Sequence, residues 1–108
     1  MFDRRDDSRQ PLGVYFNKFI AGHPHLCRAV DISRRGLLAE TCGEPELRRE
    51  AFSLELQLPG LSRSLWIWAR CVGKRGRRQA YRFLQLDAED QRALDGYVAA
   101  MAAAPASG

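Results

Sequence analysis

Residues 52–58 alternate without a break between apolar and polar side chains, and this pattern constrains the fold more than any other part of the sequence. The apolar positions are Phe52, Leu54, Leu56 and Leu58. Side chains of a β-strand point alternately to its two faces, so the alternation predicts a strand with one buried and one solvated face. Such a strand needs neighbours and a core on its apolar side, which is typical of an antiparallel sheet.

Five further segments carry short apolar runs bounded by turn residues, and we predict a strand in each. They are residues 12–20, 25–33, 37–39, 65–72 and 80–86. The run at 65–72 is apolar on both faces, as in a strand covered on both sides, so Trp66 and Trp68 are predicted to be buried. Six antiparallel strands of this length are readily closed into a small barrel, and closure removes exposed edges.

At Asp87 the spacing of the apolar residues changes from the alternation of a strand to the period of a helix, and a helix is predicted to begin there. The Asp87 side chain can accept hydrogen bonds from the first free amides of a helix, and Glu89 and Asp90 lie where the helix dipole favours acids. Apolar residues then recur along one helical face, at Leu94, Tyr97, Val98 and Met101. The predicted fold class is therefore all-β, a six-stranded antiparallel β-barrel with a C-terminal α-helix.

The chain of 108 residues has room for one domain with one core. Residues 1–10 are polar and charged and are predicted to form a flexible arginine-bearing arm, residues 11–103 the barrel with its helix, and residues 104–108 a disordered tail. No segment approaches the roughly 20 apolar residues that span a bilayer, and no secretion signal begins the sequence, so we expect a cytoplasmic protein without membrane insertion. Three cysteines without C-x-x-C spacing fit buried thiols in a reducing compartment.

Arginine dominates the charged residues. It supplies 15 of the 17 basic side chains, against 13 acidic ones, and the net charge is +4. This excess favours anionic partners, and the planar guanidinium suits phosphate groups and guanine edges. Two short motifs stand apart from the packing pattern: Arg-Arg-x-x-x-Arg at residues 4–9, and Asp-x-Ser-x-x-Gly at residues 31–36.

These two motifs, followed by alternating strands and a final helix, resemble the PilZ domain family of bacterial cyclic di-GMP receptors. Residues 82–87, Arg-Phe-Leu-Gln-Leu-Asp, resemble the last strand and helix entry of that family, so the resemblance covers nearly the whole chain. It implies a PilZ-like β-barrel that binds cyclic di-GMP without turning it over and needs no other cofactor. It also implies that binding changes conformation or contacts with a downstream protein partner, and so regulates motility, exopolysaccharide production or surface attachment.

The resemblance assigns ligand binding to six residues: Arg4, Arg5, Arg9, Asp31, Ser33 and Gly36. Arginines would grip phosphates and the guanine O6 and N7 atoms, and their planes would stack on purine faces. Asp31 would accept hydrogen bonds from guanine N1 and N2, Ser33 would bond to phosphate or base, and Gly36 would allow a left-handed backbone or a close approach of the ligand to the sheet. The arm is expected to be loose before binding and to wrap the ligand afterwards. Asp6 and Asp7 lie between its arginines and reduce its positive charge.

Two other functions remain open. One is a nucleotide-independent PilZ-like adaptor that docks to a protein and whose arm stays disordered. The other is a small RNA-binding barrel that uses the tryptophans and a basic hairpin tip at residues 74–78, although the charge of +4 supports RNA only weakly and RNA binding is not expected. Each motif also has a plain structural interpretation, as a solvated terminus for the arm and a turn for residues 31–36.

Catalytic and metal-binding patterns are not found in the sequence. It holds no nucleophile elbow, zinc-protease motif or phosphate loop, so no enzyme is predicted. His23, His25 and Cys27 alternate along a predicted strand, but no second cluster with zinc spacing follows them, and no metal site is predicted.

Overall fold

Seven strands and one helix make up the described part of the chain, which is residues 9–41 and 51–104 of a computed structural model. The elements are β1 (Gln10–Pro11), β2 (Tyr15–Ile20), β3 (His23–Ile32), β4 (Gly36–Thr41), β5 (Ala51–Leu56), β6 (Leu65–Arg75), β7 (Arg78–Gln85) and α1 (Ala88–Ala103). Residues 1–8 of the predicted arm, the connection 42–50 and residues 105–108 of the predicted tail lie outside the described residues. The six longer strands lie where the sequence predicts strands, and β1 is an addition.

The six longer strands close into a barrel. They are paired antiparallel in the order β3-β2-β5-β6-β7-β4, and β3 also pairs with β4, which joins the two ends of the sheet. Strand β1 pairs with the far end of β3, where Gln10 lies opposite Ile32 and Pro11 opposite Asp31. The prediction of a six-stranded antiparallel β-barrel followed by one helix is confirmed.

Alternate residues of the strands point into the barrel and form one core. In β5 these are the apolar positions of the alternating segment, as predicted. Leu94 and Val98 of α1 belong to the same core cluster, so the helix packs its apolar stripe against the barrel. Met101, which the helical spacing places on that stripe, is 42% exposed because it lies near the end of the helix, beyond the packed region.

The outer face of β6 corrects one prediction. Trp66 and Trp68 are 50% and 44% exposed, so the prediction that both are buried is wrong. A barrel strand has a single inner face, and in β6 the residues that alternate with the tryptophans fill it. The presence of apolar residues on both faces of β6 therefore does not show that both faces are covered. Trp66 instead contacts Phe19 of β2, and their ring centroids are 5.4 Å apart.

A β-bulge in β3 changes which of its residues point inward. The register between β3 and β4 shifts between Ala29 and Asp31, so Val30 is an extra residue on β3. Ala29 is buried before the bulge and Ile32 after it, whereas simple alternation places Leu26, Val30 and Ile32 on one face. Leu26 is accordingly half exposed. Asp31 and the turn that follows it lie beyond the bulge, at the C-terminal end of β3.

A lysine lies inside the barrel. Lys18 of β2 is 2% exposed, and its Nζ donates a hydrogen bond to Oε1 of Gln79 at 3.0 Å. The Tyr81 hydroxyl donates to the same Gln79 oxygen. The Lys18 ammonium also lies 4.0 Å from the ring centroid of Phe52 and 5.1 Å from that of Tyr81, which places it over two aromatic faces. Lys18 therefore links β2 to β5 and β7 across the core.

The first turn of α1 is attached to the barrel by an aspartate other than the predicted one. Asp87 occupies the N-cap position, but its side chain makes no capping hydrogen bond. Asp90 is the buried acid: its carboxylate accepts from Arg63 Nη1 at 2.5 Å and from the Trp66 amide at 3.3 Å. Among the residues that the structure describes, no helix has the length and apolarity needed to cross a membrane.

Candidate ligand-binding site

The turn between β3 and β4 carries three of the predicted ligand residues, and its own hydrogen bonds give it its shape. The Ser33 amide and hydroxyl donate to the Gly36 carbonyl oxygen at 2.8 and 3.3 Å, and the Arg35 amide donates to the Ser33 hydroxyl oxygen at 3.3 Å. The Phe83 amide of β7 donates to the Arg35 carbonyl oxygen at 2.7 Å. Ser33 is 8% exposed, and because its hydroxyl hydrogen is used within the turn, it can offer a ligand only an acceptor lone pair.

Gly36 is required by the packing of β4 against β7. A Cβ built on Gly36 would clash with the carbonyl oxygen of Tyr81 on the neighbouring strand. The Gly36 backbone is not left-handed, which rules out one of the two reasons predicted for a glycine here, and the close approach that the structure shows is not that of a ligand. The group that approaches is a strand of the barrel, so Gly36 allows β4 and β7 to pair beside the turn.

Strand β1 brings the end of the arm to this turn. Because Pro11 pairs with Asp31, Arg9 lies just before β1 and next to the start of the turn. Arg9 Nη1 is 3.2 Å from Asp31 Oδ1, although the two residues are 22 positions apart in the sequence. The side chains are 59% and 22% exposed, so both are open to a ligand from solvent. The structure therefore brings together one residue from each motif.

An open cleft of about 330 Å³ lies against the turn, and we call it the arm cleft. It is bounded by the arm, the turn and strands β6 and β7. The residues that line it are Arg9, Ser33, Arg35, Gly36, Val72, Ala80, Tyr81 and Arg82. Three of the predicted ligand residues are among them, and Asp31 adjoins the cleft through its contact with Arg9.

Arg82 also lines the arm cleft, although the sequence did not single it out as a candidate ligand residue. It lies opposite Gly36 of β4 on one side and opposite Arg70 of β6 on the other. Like charges in directly opposite positions of a sheet repel each other, and an anion bound over them would relieve that repulsion. The position of Arg82 in the arm cleft could be found only from the strand register, and that register includes two irregularities in the pairing of β6 with β7. Arg35 also lines the cleft, and its sequence position indicated only a positive charge near the turn.

A second cleft, of about 520 Å³, lies between the turn, the end of β7 and the first half of α1, and we call it the helix cleft. Its lining residues are Arg34, Arg35, Phe83, Leu84, Gln85, Leu86, Gln91 and Asp95. Gln91 Nε2 donates to Asp95 Oδ1 at 2.9 Å along the helix. Arg35 lines both this cleft and the arm cleft, so the two spaces share one residue.

Of the other residues singled out in the sequence, Arg4 and Arg5 fall outside the described residues. At the hairpin tip, Arg78 Nη2 lies 3.3 Å from Glu40 Oε1. Cys27 points into the core, whereas His23 is exposed. Within residues 9–41 and 51–104, no three histidine, cysteine, aspartate or glutamate side chains are grouped as a metal ion would need.

Comparison with known proteins agrees with this geometry. The profile of the PilZ domain matches residues 3–100, a span that includes both motifs, the barrel and most of α1. A search of the curated proteins finds no match to the chain. PilZ domains are non-catalytic receptor domains, typically for cyclic di-GMP. With a closed six-stranded barrel, a C-terminal helix and a family match over nearly its full length, the chain belongs to the PilZ domain family.

Proposed function

We propose that this protein is a cyclic di-GMP receptor that changes its conformation or its partner contacts on binding, and so regulates motility, exopolysaccharide production or surface attachment. The observation that carries the proposal is the contact between Arg9 and Asp31 beside the arm cleft, because it joins the two motifs at one open surface. Membership of a family whose domains are typically receptors for this nucleotide supports it. No chemical conversion of the nucleotide is part of the proposal.

The phosphates of the ligand would be bound by arginines of the arm cleft. Arg9, Arg35 and Arg82 all line this space, and each is exposed enough to reorient toward a ligand. A guanidinium can give a phosphate two parallel hydrogen bonds, which are stronger than bonds between neutral groups. Arg4 and Arg5 precede Arg9 in the chain, and we propose that they add further contacts from the arm.

Guanine recognition would fall to Asp31. Its carboxylate can accept from the N1 and N2 donors of the base, while an arginine grips O6 and N7. In the free protein Arg9 occupies the Asp31 carboxylate, so the ligand has to exchange this ion pair for hydrogen bonds of its own to both residues. An exposed ion pair contributes only about 0–1 kcal/mol, so breaking it costs little compared with what the hydrogen bonds to the base and the phosphate contribute.

Calorimetric titration of the purified protein with cyclic di-GMP tests the proposal. Arg9→Ala is expected to weaken binding about 10- to 100-fold, since a hydrogen bond to a charged group contributes about 1.5–3 kcal/mol. The Tm of the free variant should stay close to that of the wild type because the Arg9 side chain is exposed. Arg92→Ala is the matched control: Arg92 is an exposed arginine of α1 that lines neither cleft, and its loss should not change affinity.

Asp31→Ala separates base recognition from charge. It should weaken cyclic di-GMP binding but leave inorganic phosphate binding equal or stronger, because it removes a negative charge beside Arg9. Equal weakening of both ligands would show that Asp31 does not recognise the base. If the wild type gives neither heat nor thermal stabilisation at high nucleotide concentration, the receptor proposal is wrong and the nucleotide-independent adaptor replaces it.

A further inference from the structure

The exposed tryptophans of β6 border a cleft that the proposed nucleotide site does not use. This cleft has a volume of about 210 Å³, lies on the outside of the barrel and is called here the tryptophan cleft. Trp66 and Trp68 form its aromatic part, and Ser53, Gln85 and Asp87 supply polar groups. Large aromatic side chains left about half exposed on one sheet face are typical of binding surfaces.

Two carboxylates lie beside the tryptophans, although the whole chain carries +4. Glu55 lies directly opposite Trp66 on β5. Asp87 lines the cleft itself, and its carboxylate makes no capping hydrogen bond to α1. An N-cap aspartate normally stabilises its helix through that bond, so the Asp87 side chain has a position that helix capping does not explain.

The acids at the start of α1 also act on a neighbouring arginine, Arg63. The pKa of Arg63 is raised from its usual value, first by its hydrogen bond to Asp90 and then by the charges of Asp90, Glu89 and Asp87, with desolvation opposing them. The N-cap Asp87 and the first-turn acids Glu89 and Asp90 therefore favour positive charge next to the tryptophan cleft. Phosphate groups of a nucleic acid would meet repulsion there, which argues against the RNA-binding alternative at this surface.

We propose that the tryptophan cleft is a docking site for a cationic side chain, an arginine or a lysine, of a partner protein. Tryptophan is the aromatic residue that attracts cations most strongly through its ring face. Asp87 would pair with the cation, while the apolar stem of the partner's side chain would cover the rings. Complementary charge makes a basic segment of a protein the occupant that fits this surface.

This docking site does not depend on the nucleotide proposal. The next outward-facing residue of β6 is Arg70, which lies opposite Arg82 of the arm cleft. The outer face of β6 thus changes along its length from aromatic residues, beside carboxylates of β5 and the α1 N-cap, to the basic Arg70. The two surfaces suit ligands of opposite charge, so one can fail a test while the other passes it.

Nuclear magnetic resonance of the full chain tests the docking site with a simple probe. The probe is the peptide acetyl-Gly-Arg-Gly-amide, and its control replaces arginine with citrulline, which has nearly the same shape but no charge. The arginine peptide is expected to shift the indole N–H signals of Trp66 and Trp68 in a saturable manner at millimolar concentrations. Equal shifts with the citrulline peptide, or no saturable shift with arginine, would overturn the proposal.

Two matched carboxylate variants locate the interaction. Asp87→Asn should weaken arginine-peptide binding about fivefold, as expected for losing one exposed ion pair. Glu89→Gln removes the same charge from an exposed residue that does not line the cleft, and it should have a much smaller effect. Equal weakening by both variants would mean general attraction to an acidic surface and would overturn the proposed site. Cyclic di-GMP binding should be unchanged in both variants.

A titration with nucleic acid in the same experiment tests RNA as the competing ligand. Single-stranded oligouridylate is titrated under the same conditions, and the indole signals should stay in place because carboxylates border the rings. Saturable indole shifts with oligouridylate that exceed those with the arginine peptide would overturn the cationic docking site and favour RNA binding.

Discussion

Gly36 illustrates how a residue of a binding motif can serve the fold first. The resemblance to receptors suggests room for a ligand, but the group that needs the space is the Tyr81 carbonyl of the adjacent strand. Ser33 is similar, because its amide and hydroxyl both hold the turn. The plain structural interpretation of residues 31–36 as a turn is therefore compatible with the binding one: the turn is shaped by Ser33 and Gly36 and presents Asp31 and Arg35.

Gly36→Ala should lower the free energy of unfolding by about 1–3 kcal/mol, because the new methyl group would force β4 and β7 apart. Urea denaturation followed by circular dichroism measures the change. Gly96→Ala is the matched control: Gly96 lies in α1 with open space around it, and alanine there should raise stability by about 0.5–1 kcal/mol. A Gly36→Ala protein as stable as the wild type would contradict the steric role.

Helix α1 depends on a contact that could not be predicted from its sequence. Asp87 has the residue type and position of an N-cap, yet the carboxylate that holds the helix belongs to Asp90, one turn later. Asp90 binds both the Trp66 amide and Arg63, so it attaches the helix to the beginning of β6 and to the loop before it. Only the tertiary structure distinguishes these two acids.

Asp90→Ala should lower the free energy of unfolding by about 1–3 kcal/mol, since it removes a buried carboxylate that accepts hydrogen bonds from the Trp66 amide and from Arg63. Asp87→Ala should cost less than the roughly 0.5–2 kcal/mol usual for an N-cap, because no capping bond is lost. Thermal and urea melts of the two variants measure the difference. A larger loss for Asp87→Ala would contradict the assignment of Asp90 as the attachment point.

The same contact predicts how stability responds to pH. The folded-state pKa of Arg63 is raised above its usual value, chiefly by the hydrogen bond to Asp90, so its stabilising contribution is present through the neutral range and up to that usual value. The contribution is lost in strong alkali, as the pH rises through the raised pKa. Arg63→Gln should therefore shift the Tm by a similar amount throughout the neutral range.

Strand prediction succeeded where the alternation within one segment was sufficient. It failed where pairing with neighbouring strands determined which residues are buried. The alternation of residues 52–58 predicted the buried and exposed positions of β5 correctly. In β3, by contrast, the bulge at Val30 reversed the faces, and a bulge depends on pairing with another strand. The two-residue strand β1 has no periodic signal at all. Trp66 and Trp68 were predicted to be buried because a sequence does not show which apolar face has a partner.

The barrel as a unit is joined across its interior by polar groups as well as apolar ones. Lys18 of β2 contacts Phe52 of β5, and both Gln79 and Tyr81 of β7. Alternation alone gives Lys18 an inward position, but a lysine is rarely fully buried, so the sequence argues against the placement that the structure has. The barrel also supplies the register that brings Arg82 to the arm cleft, which no single strand could reveal.

Lys18→Ala should lower the free energy of unfolding by about 2–5 kcal/mol, the range for truncating a large buried side chain, because it leaves a cavity between three strands. Lys18→Met keeps the length and apolar stem and should recover most of that loss. Denaturation in urea compares the three proteins. If Lys18→Ala is as stable as the wild type, the lysine does not hold the barrel interior together.

Arg35 lines both the arm cleft and the helix cleft. If the nucleotide proposed for the arm cleft and a molecule against α1 each draw the Arg35 guanidinium toward themselves, their binding is linked. The free energy of such a linkage is the same in both directions, so each molecule would change the affinity of the other by the same factor. On the proposed function, this one side chain would make the two faces of the turn thermodynamically dependent on each other.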